Sequence, residues 1–445
     1  MNTALSPEAR TPYLLRFTEM SHQEGPGWLG SARQAAFDAF LAQGWPTLKQ
    51  EDWRFTDVTP ITEMELLPAS ITPGTVDPSL FDARCFGLGG QASHRVVFAD
   101  GWHHSTRQLG SDAQAGLRLL RLGSAEASAD PELNANLGRH LHNRNAFVAL
   151  NTVFVSDGAF VKIPAGLRCE TPIYLVHLAS ATGCASFPRS LVVAGANSQA
   201  TVVEVYLGAE GQATLSNSAT EIVLGADAQL TYHSIQKSAA EGFHIGHVAV
   251  TQNSGSVFSG HTLALDGRLI RRDIQILLAG ESCTCQVDGI YLVAGEGHVD
   301  NQTTIDHSKP RSTSSEDYRG VIAGEGHAVF GGRIVVRVGA AKTDARQTNR
   351  NLLLSDTARV DSKPQLEILT SDVKCSHGAT TGRLDPDALF YLRARGIDAR
   401  AAHGILTRAF LQQGVERVAS PDIRAELEGL LDTRIADFLG EGGRP

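Results

Sequence analysis

Residues 279–298 read AGESCTCQVDGIYLVAGEGH and residues 323–339 read AGEGHAVFGGRIVVRVG. The tripeptide Ala-Gly-Glu stands at 279–281, 294–296 and 323–325, and Gly280, Gly295, Gly324 and Gly339 are separated by 15, 29 and 15 residues. One step is therefore about twice the other two. Gly208 and Gly225 add a step of 17, and β-rich runs at 200–207 (ATVVEVYL), 221–224, 247–250, 289–293 and 333–338 alternate with glycine turns. A short period carried by strand plus glycine turn predicts a β-solenoid, in which each coil pairs only with its neighbours. A β-sandwich also turns every ~8–12 residues, but it has no reason to reuse one tripeptide at near-multiples of one spacing. The expected fold class is mainly β. It comprises a right-handed parallel β-helix core over 146–372, an N-terminal mixed or helical domain over 1–145, and a C-terminal helical domain over 373–445.

On the N-terminal side, SARQAAFDAFL at 31–41 places Ala35, Phe37, Phe40 and Leu41 at near-helical spacing, and Gly44 and Pro46 stop the run. EDWRFTDVTPI at 51–61 is aromatic and turn-rich, prolines punctuate the stretch through Pro78, and a short strand is expected at 95–99. DPELNANLGRHLH at 130–142 predicts a helix with Asp130 as cap and Pro131 in its first position. On the C-terminal side, Asp385-Pro386 opens a helix that Gly396 ends, and Ile405, Leu406 and Phe410 mark a second. Ser420-Pro421 opens a third, with Ile423, Leu427, Leu430, Leu431, Ile435 and Phe438 along one face. Such a stripe usually packs on its own domain; beside a self-sufficient core, a partner surface is the second reading.

The 445 residues are 42% hydrophobic and 20% charged, a globular composition. A net charge of -9 removes the positive field that non-specific nucleic-acid binding needs. No apolar run approaches the roughly 18 residues of a membrane span, and MNTALSPEAR lacks the features of an export signal. The expectation is a cytoplasmic protein with no membrane and no nucleic-acid partner. Six cysteines spread from Cys85 to Cys375, without a Cys-x-x-Cys, predict reduced thiols.

The P-loop, G-x-S-x-G and H-E-x-x-H motifs are absent. The Gly-Glu-Gly-His pairs at 295–298 and 324–327 lack a third glycine and a following helix, so they read as solenoid turns. Histidines such as His233, His244 and His261 fall in alternating strands, where a solvated or hydrogen-bonded imidazole is expected. Cys283-x-Cys285 places two thiols on one strand face, most simply as small buried hydrophobes. Cys375-x-His377, in DVKCSHGATTGRL, is expected in a polar turn between the last solenoid strand and the C-terminal helices. Thiolate and imidazole suit iron or zinc, but two ligands leave a tetrahedral site half empty, so a site there needs a second chain.

The stretches DNQTTIDHSKPRSTSSEDYRGVIAGEGHAVFGGRI, QTNRNLLLSDTARVDSKPQLEI and DVKCSHGATTGRLDPDALFYLRARGI resemble the SufB/SufD family of iron–sulfur cluster assembly proteins, and PTLKQEDWRFTDVTPI is similar to the family's entry segment. CSHGAT, where the sibling typically carries Glu-His-Glu, makes the chain resemble SufD rather than SufB. The resemblance implies a scaffold, not a stand-alone enzyme. It implies pairing with a SufB-like chain, an ABC-type ATPase (SufC-like) on the C-terminal helices, and iron or an iron–sulfur cluster shared transiently with the partner chain. It leaves room for a flavin in the complex and for a homodimer of the isolated chain. His377 matches the family histidine proposed as an iron or cluster ligand at the subunit interface, and Cys375 matches a nearby cysteine with a weaker claim. A SufB-like homodimeric scaffold is the nearest alternative. A polysaccharide-active β-helix enzyme is the different-class one, and it lacks a convincing carboxylate cluster and an export signal. A left-handed hexapeptide acyltransferase lacks its six-residue repeat.

Overall fold

The computed structural model describes Phe17 and residues 29–64, 67–68, 93–141, 145–179, 183–208, 211 and 213–441. Each coil contributes one strand to an 11-stranded sheet and one to a 10-stranded sheet. Leu215–Leu224, Phe243–Gln252, Leu269–Leu278, His298–His307, His327–Val336 and Arg359–Ile368 stack in parallel in the first. Gln199–Gly208, Gln229–Lys237, Val257–Asp266, Thr284–Val293, Thr313–Ile322, Thr343–Leu353 and Val373–Gly382 stack in the second. The 29-residue glycine step is thus one full coil, and each 15-residue step crosses from one sheet to the other.

The corner leading from the first sheet to the second repeats a single conformation. Gly166, Asn197, Asp227, Gly255, Ser282, Arg311 and Lys342 all have positive φ, between 57° and 76°. Each donates its amide to a carbonyl of the next coil at 2.6–3.1 Å. Five of the seven carry a side chain, so the coil-to-coil bond is maintained against the strain of the left-handed region. Gly280 serves a different need, since a Cβ there would lie 2.0 Å from the Ser254 amide nitrogen of the coil before.

Inward residues of both sheets form one core, closed at the N-terminal end by Leu117 and Leu119 beside Val96 and Phe98. Two antiparallel strands finish the ladders there: Arg118–Arg121 on Gly158–Ile163, and Trp102–Arg107 on His94–Ala99. The outer face of the first sheet lies under Phe37, Phe40, Trp45, Trp53 and the helix Ala146–Phe154. The entry segment is pinned where Arg271 stacks 3.8 Å from the Trp53 ring centroid and Thr56 Oγ1 donates to Asp300 at 2.5 Å. The outer face of the second sheet lies under Ala399–Val415 and Pro421–Glu441, whose Ile423, Leu427, Leu430, Leu431, Ile435 and Phe438 are buried against it. That stripe therefore packs on its own chain.

Three local expectations change. Ala146–Phe154 is a helix although no helical period marks it, because eight of its nine residues are buried and no polar face interrupts the apolar run. The helix expected over 130–142 ends at Asn136: Asp130 caps it by accepting from the Glu132 amide, and Gly138, with φ 74°, breaks it. Residues 142–144, like Pro73, Pro78 and Cys85, lie outside the described residues. The solenoid also runs one strand past the boundary expected at 372, to Gly382.

Gly280→Ala is expected to lower stability by about 1–3 kcal/mol, the range for inserting a methyl into a closed backbone contact. Urea unfolding should show a lower midpoint with an unchanged slope.

Candidate functional site

Arg359–Ile368 and Val373–Gly382 are the outermost strands of their sheets, and neither contains a fully buried residue. Ile368 and Leu369 are 42% and 54% exposed. Among the described residues nothing pairs with the outer edges of these two strands. The N-terminal end of the solenoid is capped and this end is open.

Cys375 and His377 both lie on Val373–Gly382, in a strand rather than the expected turn. The segment CSHGATTG lacks strand-like alternation because an end coil has no further coil to pack against. Cys375 pairs with Ala345 and sits against the small cluster of Ile334, Val336, Ala340 and Ala345. Burial raises its thiol above the ordinary value, and nearby Asp344 adds to the effect, so the isolated chain favours thiol over thiolate. His377, two residues on and so on the same face, pairs with buried Gln347 and is itself exposed. The pair offers a soft and a borderline donor at one open end, half of a four-ligand set.

A second cluster comes from segments far apart in sequence: His94, Asp112 and Cys169 bring one ligand atom each within 4.8 Å of one another. Its hydrogen bonds argue against a metal. His94 Nδ1 accepts from the Leu109 amide at 3.1 Å, so Nε2 carries the proton and donates to Asp112 at 2.8 Å. Neither imidazole nitrogen keeps a free lone pair. Burial, aided by Asp112, pushes the Cys169 thiol up to about 12, and that thiol donates to the Thr171 carbonyl. The cluster fastens the N-terminal cap to the first coil, and no spacing in the sequence announces it.

His233, His244 and His261 are buried rather than solvated. His233 and His261 stack with centroids 4.9 Å apart beneath the C-terminal helices, and desolvation lowers His261 to about 4 and His233 well below its ordinary value. His244, inside the coil, is likewise held neutral by burial. Cys283 and Cys285 are both buried in the main core, where burial raises their thiols.

Family comparisons complete the picture. A profile described as SUF system FeS cluster assembly, SufBD core domain, matches residues 177–410, and one for the SufBD protein N-terminal region matches 15–175. The chain belongs to the SufBD family of iron–sulfur cluster assembly proteins. An iron–sulfur cluster assembly SufBD family protein of Synechocystis is 30% identical over 417 residues, 91% of each chain. The iron–sulfur cluster assembly protein SufD of Escherichia coli is 26% identical over 410 residues, 90% of this chain and 92% of its own. SufD of Bacillus subtilis is 27% identical over 308 residues, 66% of this chain and 68% of its own. The core profile spans six of the seven corner residues, Asn197 to Lys342, and the end strand that carries Cys375 and His377.

Thiol accessibility follows from the geometry. A short iodoacetamide pulse on the native protein, mapped by mass spectrometry, should label partly exposed Cys375 before Cys169, Cys283 and Cys285. Equal labelling of the four would contradict the burial described.

Proposed function

We propose that this chain is a SufD-like scaffold subunit, non-catalytic itself, which pairs with a SufB-like sibling through its open end coil and carries a SufC-like ABC ATPase on its C-terminal helices. The observation behind this reading is the asymmetry of the solenoid: one end is capped, and the other presents two unpaired strand edges beside Cys375 and His377. Exposed ladder edges are templates for a further strand, and a sibling solenoid supplies one of matching pitch. His377, with Cys375 as the weaker donor, contributes to binding iron or a cluster completed by the sibling's thiolate. The iron or iron–sulfur cluster is cargo, shared transiently with the sibling, and any flavin is held by the complex. In the absence of the sibling, the same edges support a homodimer.

The C-terminal helices offer the ATPase a face that the core does not use. Phe390, Tyr391 and Ile405 are 75%, 56% and 46% exposed, while the long apolar stripe is committed to the solenoid. Only three residues separate Gly382 from the helix Pro386–Ala394, so movement of that helix is transmitted to the end strand. ATP-driven dimerisation of the ATPase would in this way shift the interface that holds the metal. A cytoplasmic location fits this role, and no helix among the described residues is long and apolar enough to cross a membrane.

In a co-expressed complex, His377→Ala should leave folding and assembly near wild type while iron and cluster content fall sharply, with a smaller fall for Cys375→Ser. Normal cluster content in His377→Ala would refute the ligand assignment. Phe390→Asp with Tyr391→Asp should abolish ATPase pull-down without altering the circular dichroism of the chain; undiminished pull-down would move the docking face elsewhere.

A further inference from the structure

The solenoid interior is apolar along one side and polar along the other. Near the capped end the polar side is organised round one carboxylate, although His177 Nδ1 and the Tyr206 hydroxyl beside it keep no partner among the described residues. Burial disfavours the Glu204 charge, but bonds from His177, Tyr232 and Ser190, with Thr220 donating as well, outweigh it and hold the carboxyl at about 2.

Toward the open end the polar side is not closed. Among the described residues, Arg272 Nε and Nη2, Asn301 Nδ2, Thr303 Oγ1, Glu316 Oε1 and Gln347 Oε1 are buried without a protein partner. These atoms follow one another through successive coils. Arg272 pairs with Asn301 across the ladder, and Thr303, two residues on and on the same face, neighbours Glu316. Glu316 pairs with Gln347, and Gln347 pairs with His377 at the open end. Gln347 Nε2 donates to Glu316 Oε2 at 2.7 Å, which leaves Oε1 of both side chains free. Room for the Gln347 amide comes from Gly332 opposite, where a Cβ would lie 1.8 Å from Nε2.

The unpartnered atoms include donors and acceptors. An anion would satisfy only the donors, whereas water satisfies both, and buried polar groups of this kind are normally met by internal water. We propose that this side of the interior is a hydrated proton path from Arg272 to the open end, with Glu316 as the group that takes up and returns the proton and Gln347 as its gate beneath His377. As an O–H bond forms at Glu316 Oε1, one breaks in the adjoining water, and the file passes the change on to solvent at the end coil. Burial raises Glu316 to about 7, the Thr303 hydroxyl and Gln347 amide oppose that rise, and Asp288 adds to it. The other titratable groups facing it are Cys285 and Tyr318, both neutral through burial, and His377 beyond Gln347. Use of the path to exchange protons with a metal or cluster at His377 rests on the function proposed above; the path itself does not.

Infrared spectroscopy of the full chain, without metal or partner, tests it. In the difference between wild type and Glu316→Gln, a carboxylic-acid carbonyl band should be strong a unit below about 7 and lost a unit above, the Glu426 carboxyl, which burial also raises to about 7, cancelling in that difference. On dilution into heavy water the wild-type band should shift at once, because the path is open to solvent. Gln347→Leu, or the closer-shaped Gln347→Met, should slow that shift by about tenfold or more, since exchange then needs local opening. His377→Ala should leave band and exchange intact, so failure of the ligand assignment reads out separately. The path is overturned if no band titrates with Glu316, if wild-type exchange waits on unfolding, or if a folded Gln347 variant exchanges as fast as wild type.

Discussion

The structure depends on one repeated interaction, the main-chain hydrogen bond from each coil to the next. At the corner it is carried by a left-handed residue whose amide reaches the following coil, seven times from Gly166 to Lys342. Because every coil is satisfied by its neighbours, stability accumulates coil by coil and the two ends become the exception. The chain treats those ends differently. Antiparallel strands and Leu117 and Leu119 close the first, while Arg359–Ile368 and Val373–Gly382 leave the last unpaired among the described residues. An open end on a parallel ladder is costly in a lone molecule and useful in a paired one.

The flanking regions follow from the same constraint. Each sheet has an outer face to cover, and the N-terminal segment covers one while the C-terminal helices cover the other. Arg417 ties the second cover down by bonding Asp288 at 2.8 Å, and Arg319 reaches back to Gln413 at 2.9 Å. The cover is therefore coupled to the coils on which it lies, and the exposed helix Pro386–Ala394 joins it to the open strand. End strand, linking helix and cover are consecutive parts of the chain.

Much of the fold was legible because glycine spacing reports coil geometry: Gly280 to Gly295 is half a coil, and Gly295 to Gly324 a whole one. The left-handed corner itself was not legible, since Asn197, Asp227, Ser282, Arg311 and Lys342 share no residue type. Ala146–Phe154 gives no helical signal in the sequence, because a helix buried all round has no period to read. Residue type and family resemblance point to Cys375 and His377, yet the sequence does not show their strand, because an uncovered end coil does not alternate. The His94–Asp112–Cys169 cluster and the polar side of the interior were invisible, as both are assembled only by coil stacking.

The open end can be tested directly by hydrogen–deuterium exchange of the chain alone and in complex with a SufB-like sibling. Exchange should be fast in 359–368 and 373–382 of the isolated chain, under conditions where it is monomeric, and strongly slowed in the complex, with the capped end unchanged. Protection that appears at the capped end or on the helix faces, with the last two strands still exchanging freely, would contradict the account.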